Sequence, residues 1–142
     1  MAQAIFVDSW PWIAVTNIDD SHHQVAKHAY DYFYEQRYRF ITSNFVLAET
    51  YTLLRRRAPV HITIAFGRKM QQYAEQKLLT VVQITPEIER EAWRLFEMYE
   101  SVNGLSYTDC TSFAAIKARG LRQAFTNDEH FAMAGFELYA HS

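Results

Sequence analysis

Residues 105–136 read LSYTDCTSFAAIKARGLRQAFTNDEHFAMAGF, and this stretch decides the fold. Ser106 stands three residues before Asp109, close to capping-box spacing, so a helix opens at Ser106. It ends near Gly120, where a residue without a side chain suits a left-handed cap. Residues 123–126 then read as a short strand, Thr126-Asn127-Asp128 as its exit, and residues 136–140 as a last strand. Strands joined through helices of ten or more residues imply parallel crossover units.

The same alternation runs back to the N-terminus. Residues 79–84 read as a strand, and Thr85-Pro86 opens an amphipathic helix. Glu87, Glu89 and Glu91 lie near its positive end, and Ile88, Ala92, Leu95, Tyr99 and Val102 form its apolar stripe. Residues 61–77 form another helix, with Phe66, Met70 and Tyr73 on one face. A helix starting at Ser43 or Asn44 must stop before Pro59, because the residue preceding a proline is pushed out of helical geometry. Residues 39–42 are a strand. Before them, Ser21 and Gln24 have capping-box spacing, and Val25, Ala29 and Phe33 carry a helix to about Arg37. Residues 4–7 are a buried strand stopped by Asp8, and Ser9 is placed to cap a short helix with Pro11 near its start. The chain therefore reads as an α/β protein, a three-layer α/β/α sandwich with a central, mainly parallel sheet. Such sheets place their sites at the carboxyl ends of their strands.

Composition bounds the remaining possibilities. The 142 residues make one domain, 1–142, with no linker, repeat or low-complexity segment. Fourteen Lys and Arg against sixteen Asp and Glu leave a net charge of -2, which excludes a binder relying on bulk positive charge. Hydrophobic residues at 49% and charged residues at 21% exclude a disordered chain. Cys110 is the single cysteine, so neither an intramolecular disulfide nor a zinc site built on several thiolates is possible. No apolar run reaches the roughly eighteen residues that span a bilayer, and MAQAIFVD does not resemble a signal peptide. A cytoplasmic protein without membrane contact is expected.

Four acids stand where this fold puts chemistry. Asp8 follows the first strand, and Asp128 follows the strand ending at Thr126. Asp109 lies in the first turn of its helix. Glu49 falls between Phe45 and Leu53 on an otherwise apolar helix sector. Each has a structural reading as well: Asp8 and Asp128 as turn residues, Asp109 as a cap, Glu49 as half of a buried pair with an arginine. If they converge, two carboxylates about 4 Å apart repel by roughly 4 kcal/mol at an effective dielectric near 20. Such a cluster calls for cations, and carboxylates alone favour the hard ions Mg²⁺ or Mn²⁺. A bound ion lowers the pKa of an attacking water and offsets charge building on a phosphodiester, while a neighbouring carboxylate takes the proton.

These residues carry a family resemblance. IFVDS at the start, TSNFVLAETYTLLRR in the middle, and the 105–136 stretch together resemble PIN-domain ribonucleases, above all the VapC-like toxins of toxin–antitoxin pairs. The resemblance implies that Asp8, Glu49, Asp109 and Asp128 are the metal-holding catalytic acids, with Ser9 and Thr126 as small polar supports. It also implies RNA as substrate, 5′-phosphate and 3′-hydroxyl products, a homodimer, and an antitoxin whose peptide fills the acidic crevice. One departure stands out: where the family usually has a small or polar residue after Asp-Ser, this chain has Trp10-Pro11-Trp12, which bears on the pocket wall and not on the metal ligands. Two alternatives share the fold: a free-standing PIN nuclease of RNA processing, and a catalytically silent RNA-binding or regulatory module.

Other signals are weaker. No GxGxxG or Walker lysine loop follows any strand. The histidines, His130 among them, read as solvated or capping groups and not as a zinc set. Cys110 reads as a small core residue. Arg55, Arg56 and Arg57, with Arg37 and Arg39, form the best basic cluster, and Arg55 and Arg56 are the candidate RNA contacts. Consecutive arginines on a helix cannot all face one groove.

Overall fold

The computed structural model describes residues 3–139. In chain order the elements are β1 (Ala4–Val7), α1 (Ser9–Thr16), α2 (His23–Glu35), β2 (Arg39–Ser43), α3 (Asn44–Arg57), α4 (Val60–Glu75), β3 (Leu79–Val82), α5 (Pro86–Met98), α6 (Tyr107–Ala118), β4 (Gln123–Phe125), α7 (Glu129–Met133) and β5 (Glu137–Tyr139). The five strands form one sheet in the order β3-β2-β1-β4-β5, and every pairing is parallel. The α/β expectation holds, and the sheet is wholly parallel among the described residues.

The chain steps outward from β1 to β2 and β3, then crosses back to β4 and β5 on the other side of β1. Right-handed crossovers then place α1–α4 on one face and α5–α7 on the other. Packing agrees. Phe40 and Phe125, in register with Ile5 and Val7, meet Trp12 of α1 and Phe33 of α2 at ring distances of 6.4 and 5.4 Å. In the second helical layer Phe113 of α6 meets Phe131 of α7 edge-on at 4.9 Å.

Local signals behave unevenly. Ser43, Thr85 and Ser106 each cap a helix by accepting a backbone N–H three residues on, as side-chain caps do. Gly120, with φ +67, follows α6 as expected. The Ser21–Gln24 box does not form: α2 starts at His23, and the Ser21 hydroxyl lies against the His22 ring instead. Ser9 is not a cap either. It is the first residue of α1, and Asp8 occupies the cap position without a side-chain cap bond, its carboxylate being engaged elsewhere. The strand expected over 79–84 stops at Val82, and Val102 lies beyond the end of α5. Helix α7 was not anticipated; at five residues it is too short to show a period. Ala140, expected to end the last strand, lies outside the described residues.

Trp10-Pro11-Trp12 turns inward with α1. Trp12 and Pro11 are buried, and Trp12 contacts Tyr30, Phe40 and Phe66. Trp10 is half-buried against Phe125 and His22.

Candidate active site

β1 connects to β2 on one side while β4 lies on the other, so the direction in which strands are added to the sheet reverses between β1 and β4. In an open parallel sheet that is where the crevice forms, outside the carboxyl ends of the strands. Val7 pairs with Phe125, which places Asp8 beside Thr126. The Thr126 hydroxyl donates to Asp8 Oδ2 at 2.8 Å and accepts from the Asp128 backbone N–H at 3.1 Å. One buried hydroxyl thus ties together the first and fourth acids.

Two further elements bring the other acids in. The Ser9 hydroxyl donates to Glu49 Oε2 at 2.8 Å, linking the start of α1 to the middle of α3. Glu49 is half-buried and forms no ion pair among the described residues, so the arginine-pair reading is not realised. Asp109 is held by a complete capping box: it accepts from Ser106 N at 3.2 Å, and its own N–H donates to the Ser106 hydroxyl at 3.0 Å. The capping role and the site position therefore coexist in Asp109.

The electrostatics show the acids facing one another. Burial pushes the Asp8 pKa up from 3.8 to about 7; hydrogen bonds from Thr126 and Ser9 N–H oppose this, and the charges of Asp109 and Glu49 add to it. Asp109 rises to about 6, first through burial and then through Asp128, with Glu49 contributing. No Lys or Arg pairs with any of the four acids among the described residues.

His130 lies within the cluster, where the sequence reads it as a solvated or capping group. Asp128 caps α7 by accepting the His130 N–H at 2.9 Å, which folds the ring back over the acids. Its Nε2 lies 3.0 Å from the Asn103 carbonyl, an acceptor only, so Nε2 carries a hydrogen. Its Nδ1 lies 3.0 Å from Asp128 Oδ1 and 3.9 Å from Asp109 Oδ2, yet neither approach has hydrogen-bond alignment. Donor atoms of Asp109, Asp128 and His130 all fall within 4.8 Å of one another. A buried nitrogen aimed at two carboxylates without a bond, beside acids without counter-charges, fits a divalent cation. The signal available in the sequence was His130 standing two residues after a capping aspartate.

Of the arginines, Arg56 lines a groove of about 510 Å³ with Glu49, Phe45 and Thr108. Arg55 is exposed on α3 outside that groove, and Arg37 and Arg39 line a different cavity. Cys110 is fully buried, as a core residue should be, and its thiol is pushed up to about 11 chiefly by burial.

Residues 5–137 match the sequence model of the family described as PIN domain. The chain belongs to the PIN domain family. This PIN domain is 34% identical over 135 residues to the 23S rRNA-specific endonuclease VapC20 of Mycobacterium tuberculosis, covering 93% of this chain and 95% of that protein. The crystal structure of VapC20, described as a sarcin–ricin loop cleaving toxin, superposes with a TM-score of 0.81 at 30% identity, covering 94% of this chain and 96% of that one. VapBC2 from Rickettsia felis, solved with a promoter DNA fragment, matches with a TM-score of 0.69 at 10% identity over 99% of this chain and 100% of that one. That likeness is one of fold. No helix among the described residues of this PIN domain is long and apolar enough to cross a membrane.

Proposed function

We propose that this PIN domain is a metal-dependent endoribonuclease and the toxin of a toxin–antitoxin pair, acting in the cytoplasm on ribosomal RNA as VapC20 does by name. The observation that carries the reading is the convergence of Asp8, Glu49, Asp109 and Asp128 from four different elements where strand addition reverses, with no Lys or Arg paired to them among the described residues. These acids and His130 would hold Mg²⁺ or Mn²⁺, which would supply Lewis-acid stabilisation of the charge developing on a phosphodiester. The chain's own groups do the rest. Thr126 and Ser9 fix the carboxylates of Asp8 and Glu49 by hydrogen bonds. A carboxylate of the cluster, ionised when the cation is held, is placed to accept the proton of the attacking water. The water oxygen bonds to phosphorus, the P–O3′ bond breaks, and the 3′ oxygen takes up a proton, leaving 5′-phosphate and 3′-hydroxyl ends. Arg56, in the groove beside Glu49, holds a backbone phosphate, with Arg55 as a more distant contact.

A crevice of four carboxylates is complementary to a basic peptide, and an antitoxin segment bearing an arginine suits it. The half-exposed Trp93 of α5, packed on Phe96 and Tyr107, offers an aromatic face for a homodimer. Trp10 and Trp12 pack on His22, Phe125, Tyr30, Phe40 and Phe66, and the full set of four acids favours an active enzyme over a silent module.

The test incubates the purified protein with total ribosomal RNA, with and without Mn²⁺, and maps the new ends. Discrete metal-dependent cuts with 5′-phosphate ends, lost in Asp8→Asn and Asp109→Asn, are expected. Full cleavage by either variant overturns the reading.

A further inference from the structure

All five parallel strands start on the sheet edge opposite the carboxylates, and a second cleft lies there. Arg39 and Leu79 open β2 and β3 against a cavity of about 460 Å³. One wall is a ladder of rings: Phe40 stacks on Tyr30 at 5.0 Å and 3°, and Tyr30 on Tyr34 at 6.5 Å and 17°. Phe40 is buried and Tyr30 half-buried, whereas Tyr34 is 63% exposed, so the ladder ends on a ring open to solvent. Arg37, Arg39 and Lys77 line the same cavity, and none of them forms an ion pair among the described residues. Glu35 is the one carboxylate in the lining, so three cations against one acid leave this cleft at +2 in a chain of net charge -2.

The backbone points the same way. Among the described residues, Arg37 and Lys77, each with φ 61, are the non-glycine residues in the left-handed region. Each stands two residues past its helix, α2 or α4, and two before its strand, β2 or β3. That position after a helix is glycine's, and a side chain there carries a steric penalty. Twice, then, the chain places a long cation where glycine is least strained, and both cations line one cavity. Attraction to the negative end of a helix accounts for a cation at each position. It does not account for their convergence beside an aromatic ladder.

We propose that this cleft is a second RNA-contact site, in which an unpaired base stacks on the Tyr34–Tyr30–Phe40 ladder and its flanking phosphates meet Arg37, Arg39 and Lys77. Cationic grooves with stacking rings hold single strands with little sequence preference. The choice of RNA rests on the ribonuclease reading. Because the cleft lies on the sheet edge away from the acids, it grips RNA beyond the cut bond and acts on KM, leaving kcat unchanged.

Fluorescence anisotropy of a labelled, unstructured oligoribonucleotide in EDTA tests this with the full-length protein. The double variant Arg37→Gly/Lys77→Gly removes two cations while relieving left-handed strain, so a melting curve no lower than that of the native protein is expected to accompany the loss. Its affinity should fall about tenfold or more, and the slope of log affinity against log salt should flatten by about 1.4, about 0.7 per cation removed. Arg37→Lys/Lys77→Arg should retain binding. Tyr34→Ala should weaken binding about fivefold or more with the salt slope unchanged. Unchanged affinity in the double glycine variant overturns the proposal, and so does a silent Tyr34→Ala with tripolyphosphate competing as well as RNA, which would mark a simple anion cluster. AMP competing as strongly as the oligonucleotide would mark a free-nucleotide site and also overturn it. The two readings fail separately: binding at this cleft by a native protein that cleaves no RNA in Mn²⁺ leaves this inference standing while the nuclease reading fails. Cleavage with an unaltered KM in the double glycine variant does the reverse.

Discussion

Thr126 donates a 2.8 Å hydrogen bond to Asp8 across 118 positions of sequence, and the same oxygen accepts the backbone N–H of Asp128. It is fully buried between two acids and stabilises the ionised form of the first. Thr126→Val keeps the shape and removes both bonds. We expect a stability loss of about 1 kcal/mol, because two hydrogen bonds are lost and a partly buried N–H is left unpaired. The pH–rate profile should also move towards higher pH as Asp8 becomes harder to ionise, and an unmoved profile would count against this role.

The raised acids make stability depend on pH in an unusual direction. Asp8 at about 7 and Asp109 at about 6 bind protons more tightly folded than unfolded, where both lie near 3.8. Their contribution is fully present below about 3.8 and is lost as pH rises through about 6 to 7. In EDTA, thermal melts should therefore show a higher Tm near pH 5 than near pH 8. Mn²⁺ should reverse the order by binding the ionised site. A Tm rising steadily across this range in EDTA would contradict the assignment.

Glu49 answers to Ser9 and to no arginine. Glu49→Gln preserves a hydrogen-bond acceptor for that hydroxyl while removing negative charge from the cluster. Metal-free stability should stay the same or rise slightly, and the Mn²⁺-induced gain in Tm should shrink together with activity. A loss of about 3–5 kcal/mol, the signature of a stranded buried partner, would point to a structural role instead.

Asp109 and Ser106 separate capping from chemistry. Asp109→Asn can still accept from Ser106 N, so α6 should remain capped while cleavage is lost. Ser106→Ala breaks the box from the other side and should cost about 1 kcal/mol, with only a modest drop in activity. Paired melting and cleavage assays on the two variants check the contrast.

His130 presents an unpaired nitrogen to Asp109 and Asp128. Imidazole suits transition ions better than Mg²⁺. His130→Gln should therefore reduce Mn²⁺-supported cleavage more than Mg²⁺-supported cleavage, as read from activity titrated with each ion. Equal losses with both ions would place the ring outside the coordination sphere.

The sequence by itself determined the alternation of strands and helices, helix starts at Ser43 or Asn44, at Thr85-Pro86 and at Ser106, and the end of β1 at Asp8. These follow from local chemistry: apolar periodicity, hydroxyls within reach of free N–H groups, and backbone limits near proline and glycine. The same local rules misled at Ser21, because a side chain can cap only if the chain on both sides adopts the required path, and here the turn ends against the His22 ring. They were silent about α7, which is a single capped turn folded over the site. The four candidate acids could be picked out by position and by resemblance, but only the tertiary structure decided their meeting. The order β3-β2-β1-β4-β5 sets Val7 beside Phe125 and so brings Thr126 to Asp8. The packing of α1 against α3 brings Ser9 to Glu49, and α7 folds His130 onto Asp109 and Asp128. Burial and mutual repulsion, which raise Asp8 and Asp109, are properties of distance and solvent access. They come into being only when residues far apart in the chain share one crevice.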